Sequence, residues 1–338
     1  YYLGCLYFDR FRYDEAISCF ENSISVNPKH AKAYRNLSLL YFDKKGDFLS
    51  AKHCIEKAIE YMPDDPRLLL EYQQLLKNID TDVDTRLEVY DNHKELLEKR
   101  DDCYLDKIIL LCLKGEYKKA IDMAADKHFH IYEGGEGKLT KQHAWMHVLY
   151  GLEFLKNNDL KNAEKAFEKG INMPKSYGEA KTFFNQEAHI YYFLGITYER
   201  MGEPEKAKKA FDQATVFKAA ISEISLFRAL AFRKVNEYTN AREVLEEMLE
   251  KADDFIENKD RRSYYGVGSP SPMPFEYDIE KQNLTDGYIL KAYALLGLGK
   301  FEEAESYAKK AENLDKYDFR IYAYKQILKG EEVCKDTL

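Results

Sequence analysis

The stretch YYFLGITYERMGEPEKAKKAFDQA, residues 191–214, contains the two patterns that decide the fold. On either side of a Gly-Glu-Pro turn, small and large apolar residues recur three or four positions apart, which is the spacing of one helical face. These residues are Leu194, Gly195, Tyr198, Ala207, Phe211 and Ala214. The pattern predicts two amphipathic helices. The small residues would let the two backbones approach closely, and the large ones would fill the gaps between them.

The same spacing recurs along the chain. It is clear in YYLGCLYFDRFRYDEAISCFENSISVNPKH (1–30), in YRNLSLLYFDKKGDFLSAKHCIEKAIEYMP (34–63) and in HVLYGLEFLKNNDLKNAEKAFEKGINMP (147–174). Weaker copies centre on Ala120, Ala241 and Ala304, and residues 66–100 fit the period without its small residues. We count about eight units, which is the signature of a repeat architecture.

This pattern resembles the tetratricopeptide (TPR) repeat, in which 34 residues form two antiparallel helices with small residues where they touch. The resemblance implies an all-α fold, a right-handed superhelical solenoid of about eight helix-turn-helix units. The segment FRIYAYKQILKG (319–330) is predicted to be a C-terminal capping helix that covers the last apolar face. Because the chain opens inside the first helix of a unit, we expect further residues before Tyr1 in the natural protein.

The repeats and the irregular stretches between them suggest a division of the chain. Residues 1–127 are predicted to form N-terminal TPR units, the first of them truncated, and 128–142 an inserted loop. Residues 143–253 would form central units, 254–283 a second inserted loop, and 284–338 the last unit with the capping helix.

Composition restricts the classes of function. The 338 residues carry a net charge of −8 and no long basic run, which argues against a nucleic-acid or anionic membrane surface. The six cysteines form no CxxC pair, which favours a reduced, cytoplasmic protein. No apolar run reaches membrane-spanning length and no signal peptide is visible. We expect neither a cofactor nor a metal, although one group of histidines, discussed below, could form a zinc site.

In proteins with this repeat, the first helices of successive units line a concave groove that binds a protein partner. The groove positions predict a binding surface at Trp145, His189, Tyr192, Ile196 and Glu199. An alternative is that these residues pack against neighbouring helices or another domain. One class of the family clamps chaperone tails with paired Lys and Asn, but Cys5 and Leu39 occupy the Asn positions here, so we do not expect that activity.

Three long connections follow the second helices of the fourth, fifth and seventh units. They contain HFHIYEGGEGKLT (128–140), KSYGEAKTFFNQ (175–186) and DRRSYYGVGSPSPMPFEYDIEKQN (260–283). Equivalent connections of a solenoid emerge on one edge, so we predict that the three form a rim, and loops on a rigid scaffold often carry function. The rim residues predicted to bind are His128, His130, Glu133, Glu136, Glu179, Tyr264 and Tyr265.

The first of these connections allows several interpretations. A phosphate-binding P-loop fails, because Tyr132 stands where its first glycine belongs and Leu139 follows its lysine. A catalytic acid and base at Glu133 and Glu136 would need more rigid support than glycines give. A zinc site could use the four histidines His128, His130, His143 and His147. A docking loop, rigid and partly buried, is the interpretation that we favour.

The motifs HFHIYEGGEGK, YGEAK and YYFLGITYERMGE also resemble the C-terminal TPR tails of large bacterial proteins that begin with a domain of uncharacterised function. Some of those proteins are encoded among carbohydrate-utilisation genes. The resemblance implies a second hypothesis beside a non-enzymatic interaction scaffold. The chain would then be an accessory tail of a carbohydrate-active enzyme, lending rim residues and binding a carbohydrate ligand.

Overall fold

The computed structural model describes residues 1–130, 135–179, 187–217, 220–260, 275 and 278–330. The regular structure within these ranges is helical, without a strand. Two compact lobes are distinguished: an N-terminal lobe (residues 1–110 and 271–277) and a C-terminal lobe (residues 111–270 and 278–338). Within the described ranges, no helix is both long enough and apolar enough to cross a membrane.

The helices alternate as the repeat predicts. The N-terminal lobe contains α1 (Tyr2–Asp9), α2 (Tyr13–Val26), α3 (Ala31–Leu40), α4 (Phe48–Tyr61), α5 (Pro66–Asn78), α6 (Val83–Asn92), the short α7 (Lys94–Leu97) and most of α8 (Asp101–Leu113). The C-terminal lobe contains α9 (Tyr117–Ala125), α10 (Lys138–Lys156), α11 (Leu160–Ile171), α12 (Ala188–Met201), α13 (Pro204–Thr215), α14 (Ser225–Lys234), α15 (Tyr238–Glu257), α16 (Ile279–Gly297), α17 (Phe301–Leu314) and α18 (Phe319–Lys329). Eight helix pairs and a capping helix therefore occupy the described residues, as predicted.

Local sequence explains where the helices begin. The first backbone N–H groups of a helix have no acceptor within the helix, and an aspartate side chain just before the first turn accepts a hydrogen bond from one of them. This cap occurs at Asp47, Asp65, Asp82, Asp159, Asp278 and Asp318. Pro66 and Pro204 occupy first-turn positions, where a missing N–H costs nothing.

The contact inside a helix pair is the same in three units. A glycine of the first helix lies against a phenylalanine ring of the second, so closely that a Cβ at the glycine would be 2.3–2.7 Å from the nearest ring carbon of its partner. The pairs are Gly4 with Phe20, Gly151 with Phe167, and Gly195 with Phe211. The small-residue positions recognised in the sequence are therefore the points of closest helix contact.

The N-terminal lobe has a continuous apolar core. Its members include Leu39, Ile55, Leu68 and Leu75. Phe275, from the third long connection, also belongs to this core: it is 3% exposed, and its ring centroid lies 5.1 Å from that of Phe42.

Some helix ends differ from the predicted boundaries. Helix α10 begins at Lys138, so residues 138–142 of the predicted inserted loop are helical. Helix α15 continues to Glu257 and α16 begins at Ile279, so both ends of the region 254–283 are helical as well. The apolar positions of these turns, such as the buried Leu139, continue the helical face beyond the consensus length of the repeat.

Candidate functional site

The first two long connections pack against each other within the C-terminal lobe. The backbone N–H of Phe129 donates a hydrogen bond to the carbonyl oxygen of Ser176 over 2.8 Å. The rings of Phe129 and Tyr177 meet edge to face with centroids 5.6 Å apart, and both side chains are buried. A buried aromatic contact and a backbone hydrogen bond therefore join the two connections, and both contribute to their stability.

A glycine makes the close approach possible. Gly178 has a positive φ of 69°, and a Cβ there would lie 2.8 Å from the carbonyl oxygen of Phe129. The following residue, Glu179, accepts a hydrogen bond of 3.0 Å from the backbone N–H of Gly137, directly before α10. A carboxylate at a helix N-terminus is stabilised by the unsatisfied N–H groups and by the helix dipole.

The exposed face of this rim carries some of the predicted site residues. His128, His130 and Glu136 are exposed, and the rings of the two histidines are 5.3 Å apart. Glu179, in the second connection, is partly buried. The predicted site residues Glu133, Tyr264 and Tyr265 lie outside the described residues, as does most of the third connection.

The predicted groove residues lie together, and most of them are interior. Trp145, His189 and Tyr192 surround the ring of Phe227, with centroid distances of 6.1, 6.0 and 5.9 Å. Their exposed fractions are 1%, 0% and 0%, and Ile196 is 2% exposed. Glu199 alone is exposed, and it binds Lys234 over 2.8 Å. In this structure the groove centre is therefore an enclosed aromatic cluster.

Buried polar groups continue this cluster along the first helices of successive units. The ring of His189 lies against that of Trp145, tilted by 50° and with centroids 4.6 Å apart, and Glu223, also buried, lies 2.7 Å from the ammonium of Lys141. Further along, Asp286 of α16 binds Arg320 of α18 over 2.7 Å. We call Trp145, His189, Glu223 and Asp286 the polar row.

The electrostatics of the polar row follow from burial. Desolvation lowers the pKa of His189 to about 3, so its ring is neutral at neutral pH. Burial opposes ionisation of Glu223, but Lys141 and Arg320 outweigh it and hold its pKa below the ordinary value. Among the described residues, neither ring nitrogen of His189 nor the indole N–H of Trp145 has a hydrogen-bond partner. Such groups cost about 1–3 kcal/mol each when buried.

The histidines of α10 act in packing. One ring nitrogen of His143 lies 3.1 Å from the hydroxyl of Tyr177, and the other lies 3.1 Å from the carbonyl oxygen of Lys169. Burial lowers the pKa of the neighbouring His147 to about 3. The described part of the chain contains no group of three or more His, Cys, Asp or Glu side chains that could hold a metal ion.

Helix α18 packs against α9 and α10. The hydroxyl oxygens of Tyr322 and Tyr117 are 2.5 Å apart, and the ring centroids of Phe319 and Trp145 are 6.2 Å apart. Beside α18 is a cleft of about 460 Å³. It is lined by Tyr117, Leu149, Leu152, Glu153, Phe154, Lys156, Asn157, Gln326, Lys329 and Gly330.

Sequence reasoning missed the residues that close the groove. Asp286 lies in the eighth unit and Arg320 and Tyr322 lie in the capping helix, whereas the predicted groove residues all belong to the fifth and sixth units. The same register, continued into α16, reaches Asp286 as the successor of Glu223. No sequence signal indicates that α18 meets α9 and α10, because that contact joins segments about two hundred residues apart and depends on how the units stack.

Comparison with known proteins supports the repeat assignment. Two family models described as tetratricopeptide repeat match the chain, one at residues 1–30 and the other at 31–65, 188–215 and 285–318. Each matched segment corresponds to one helix pair of the structure, and the last segment begins within α16.

Similar solved structures are of the same type. A tetratricopeptide repeat protein from Parabacteroides merdae is 14% identical, with 88% of this chain and 98% of that chain covered and a TM-score of 0.40. The C-terminal part of a TPR repeat-containing protein from Cytophaga hutchinsonii is 14% identical, with 96% and 98% covered and a TM-score of 0.28. The TPR2AB-domain:pHSP90 complex of yeast Sti1 is 18% identical, with 74% and 88% covered and a TM-score of 0.31.

Likenesses this remote carry no information about ligands. The family matches, the recurring helix pairs and the repeated contact between a small residue and a large one agree with one another. The chain contains tetratricopeptide repeats, matched at residues 1–65, 188–215 and 285–318, and further helix pairs lie between the matched segments.

Proposed function

We propose that the chain is an interaction scaffold that docks a protein, or another domain of the same chain, on its rim of inserted loops. The observation that supports this most is the pairing of the first two connections through Phe129, Ser176 and Tyr177. Connections that served only to join helices would have no need of a shared aromatic core. A rim ordered before binding loses less conformational entropy when a partner docks.

The chemistry of the exposed rim fits a polar protein surface. His128 and His130 offer ring nitrogens, and Glu136 offers a carboxylate, all on the exposed side of the packed connections. Polar groups of this kind surround the apolar centre of protein interfaces, where they give specificity. The concave side of the scaffold is the second surface on which TPR proteins bind partners.

Site-specific photocrosslinking in cells tests the rim. The photoreactive residue benzoylphenylalanine is placed at His130, and a control chain carries it at Lys165, exposed on the second helix of the fifth unit. We expect one discrete adduct from the His130 probe and none from the Lys165 probe. Equal labelling at both positions, or no adduct at His130, would contradict docking at the rim.

The accessory-tail hypothesis remains a prediction. It requires that Glu133 or Glu136 contribute to an activity of a larger chain. Replacement of each by glutamine in that chain is its test, because the change removes an ionisable group and keeps the shape of the side chain.

A further inference from the structure

We propose that α18 occupies a helix-binding groove in the C-terminal lobe, and that an amphipathic helix of a partner protein exchanges for it. The partner helix would carry an arginine next to aromatic residues, as α18 does. This inference rests on the proposed scaffold function but concerns the groove, not the rim.

The contacts of α18 extend beyond those that a cap on the last unit requires. Lys325 binds Glu312 of α17 over 2.6 Å, and the carbonyl oxygen of Arg320 accepts a hydrogen bond from Tyr293 of α16. These are the contacts of a cap. On its other side, however, α18 reaches α9 and α10 of the fourth and fifth units through Tyr322 and Phe319. The helix therefore contacts the second helix of the fourth unit and the first helix of the fifth, as well as the last unit that it caps.

The acidic part of the polar row selects the ligand chemistry. Glu223 and Asp286 are carboxylates at successive units of the groove, and Glu223 is paired with Lys141. The guanidinium of Arg320 lies 2.7 Å from Asp286 and 2.6 Å from Asp318, the N-cap residue of its own helix. A planar guanidinium donates to two carboxylates at once more effectively than lysine does. The aromatic member of the row, Trp145, lies with its ring centroid 6.2 Å from that of Phe319. An arginine beside an aromatic residue on a helical face is complementary to both parts.

The fit of α18 is incomplete, which favours exchange. The indole N–H of Trp145, whose ring contacts Phe319 of α18, has no hydrogen-bond partner among the described residues, and neither ring nitrogen of the adjacent His189 has one. A partner helix with a polar side chain that reached these atoms would form the hydrogen bonds that α18 does not make, and would gain their free energy. In addition, α18 has 11 residues, a length at which a helix depends on its surroundings for stability.

Attachment to the chain explains why α18 is the resident helix. Residues 315–318 join α17 to α18, so the local concentration of α18 at the groove is high, on the order of mM for short linkers. A free helix competes successfully only when it binds better than α18 or when α18 is weakened. Phe319 and Tyr322 are the residues to weaken, since they make the contacts with α10 and α9.

The experiment uses the full chain and a fluorescein-labelled synthetic peptide with the sequence KYDFRIYAYKQILK, residues 316–329. Anisotropy gives the affinity, and the emission of Trp145, the one tryptophan of the sequence, reports on the groove. We expect the chain with both Phe319→Ala and Tyr322→Ala to bind the peptide at least about tenfold more tightly than the unsubstituted chain. A scrambled peptide should not bind, and addition of Asp286→Asn to the double variant should reverse the gain.

Two controls keep the result interpretable. Lys329→Ala, at an exposed position of the same helix, should leave the affinity unchanged. If the double variant loses helical circular dichroism, Tyr322→Phe decides, because it removes one hydroxyl and should still tighten binding about threefold.

A folded variant that binds the peptide no better than the unsubstituted chain would overturn the proposal and make α18 a permanent cap. The rim crosslink at His130 is measured separately, so failure of the groove and failure of the scaffold function are distinguishable.

Discussion

The hydroxyl groups of Tyr117 and Tyr322 lie 2.5 Å apart although 205 residues separate them in the sequence. The contact joins α9 to the capping helix α18, and both helices belong to the C-terminal lobe. Burial, and the hydrogen bond between the two rings, raise the pKa of Tyr117 well above its ordinary value. The pair therefore stays protonated and hydrogen-bonded throughout the physiological pH range.

Removal of one hydroxyl tests what this contact contributes. Tyr322→Phe should lower the free energy of unfolding by about 0.5–1.5 kcal/mol, the net value of a partly buried hydrogen bond. Urea denaturation followed by circular dichroism provides the measurement. Tyr150→Phe is the matched control, because no hydrogen bond of its hydroxyl is present among the described residues. Equal losses in the two variants would mean that the Tyr117 contact contributes nothing specific.

The close contact within the sixth helix pair gives a second prediction. A Cβ at Gly195 would lie 2.4 Å from Cε1 of Phe211, so Gly195→Ala should destabilise the chain by about 1–3 kcal/mol through overpacking. Thermal and urea unfolding would both show the loss. Phe211→Leu removes the ring edge that causes the clash. In the Phe211→Leu background Gly195→Ala should therefore cost much less, and simple additivity of the two changes would contradict this contact.

The sequence was sufficient to predict the repeat, because the repeat is encoded locally. Gly195, Ala207 and Phe211 recur at one spacing, and each helix pair buries its own face. For Trp145 and His189 the sequence left two interpretations open, a binding groove or packing against neighbouring helices, and both side chains are buried in the structure. The repeat pattern does not distinguish the two, since burial at these positions depends on helices of later units.

The contacts that close the C-terminal lobe are not local. Nothing in the sequence near Arg320 indicates Asp286, and nothing near Tyr322 indicates Tyr117. The position of Phe275 in the N-terminal core is a similar case, because an aromatic residue in a proline-rich connection has no periodicity to interpret. Tertiary contacts of this kind depend on the stacking of units, to which each repeat adds a small rotation.

The packing of the two connections gives a third prediction, with a control in the same lobe. Gly178→Ala and Gly202→Ala both place a side chain at positive φ, 69° and 74°, and both should cost about 1 kcal/mol for that reason. Only Gly178→Ala also brings a Cβ within 2.8 Å of the Phe129 carbonyl oxygen. We therefore expect faster amide hydrogen exchange at Phe129 in that variant alone. Equal protection of Phe129 in both variants would show that the connections are not coupled through Gly178.

The buried histidines make stability depend on pH in a definite direction. Burial lowers the pKa of His189 and of His147 from 6.5 to about 3, so neither ring is protonated in the folded chain near neutrality. The unfolded chain binds protons at these residues below pH 6.5, and hence stability is fully present above that pH and falls as the pH decreases toward 3. Between pH 7 and pH 5 each histidine should account for roughly 2 kcal/mol of the loss in unfolding free energy. Urea unfolding of His189→Gln at both pH values is the measurement. The variant should reduce the difference in unfolding free energy between pH 7 and pH 5 by that amount, regardless of how much it destabilises the chain at pH 7. His147→Gln should reduce the difference further. If both variants kept the full pH difference, the acid sensitivity would come from other groups, such as the Glu223 carboxylate beside Lys141.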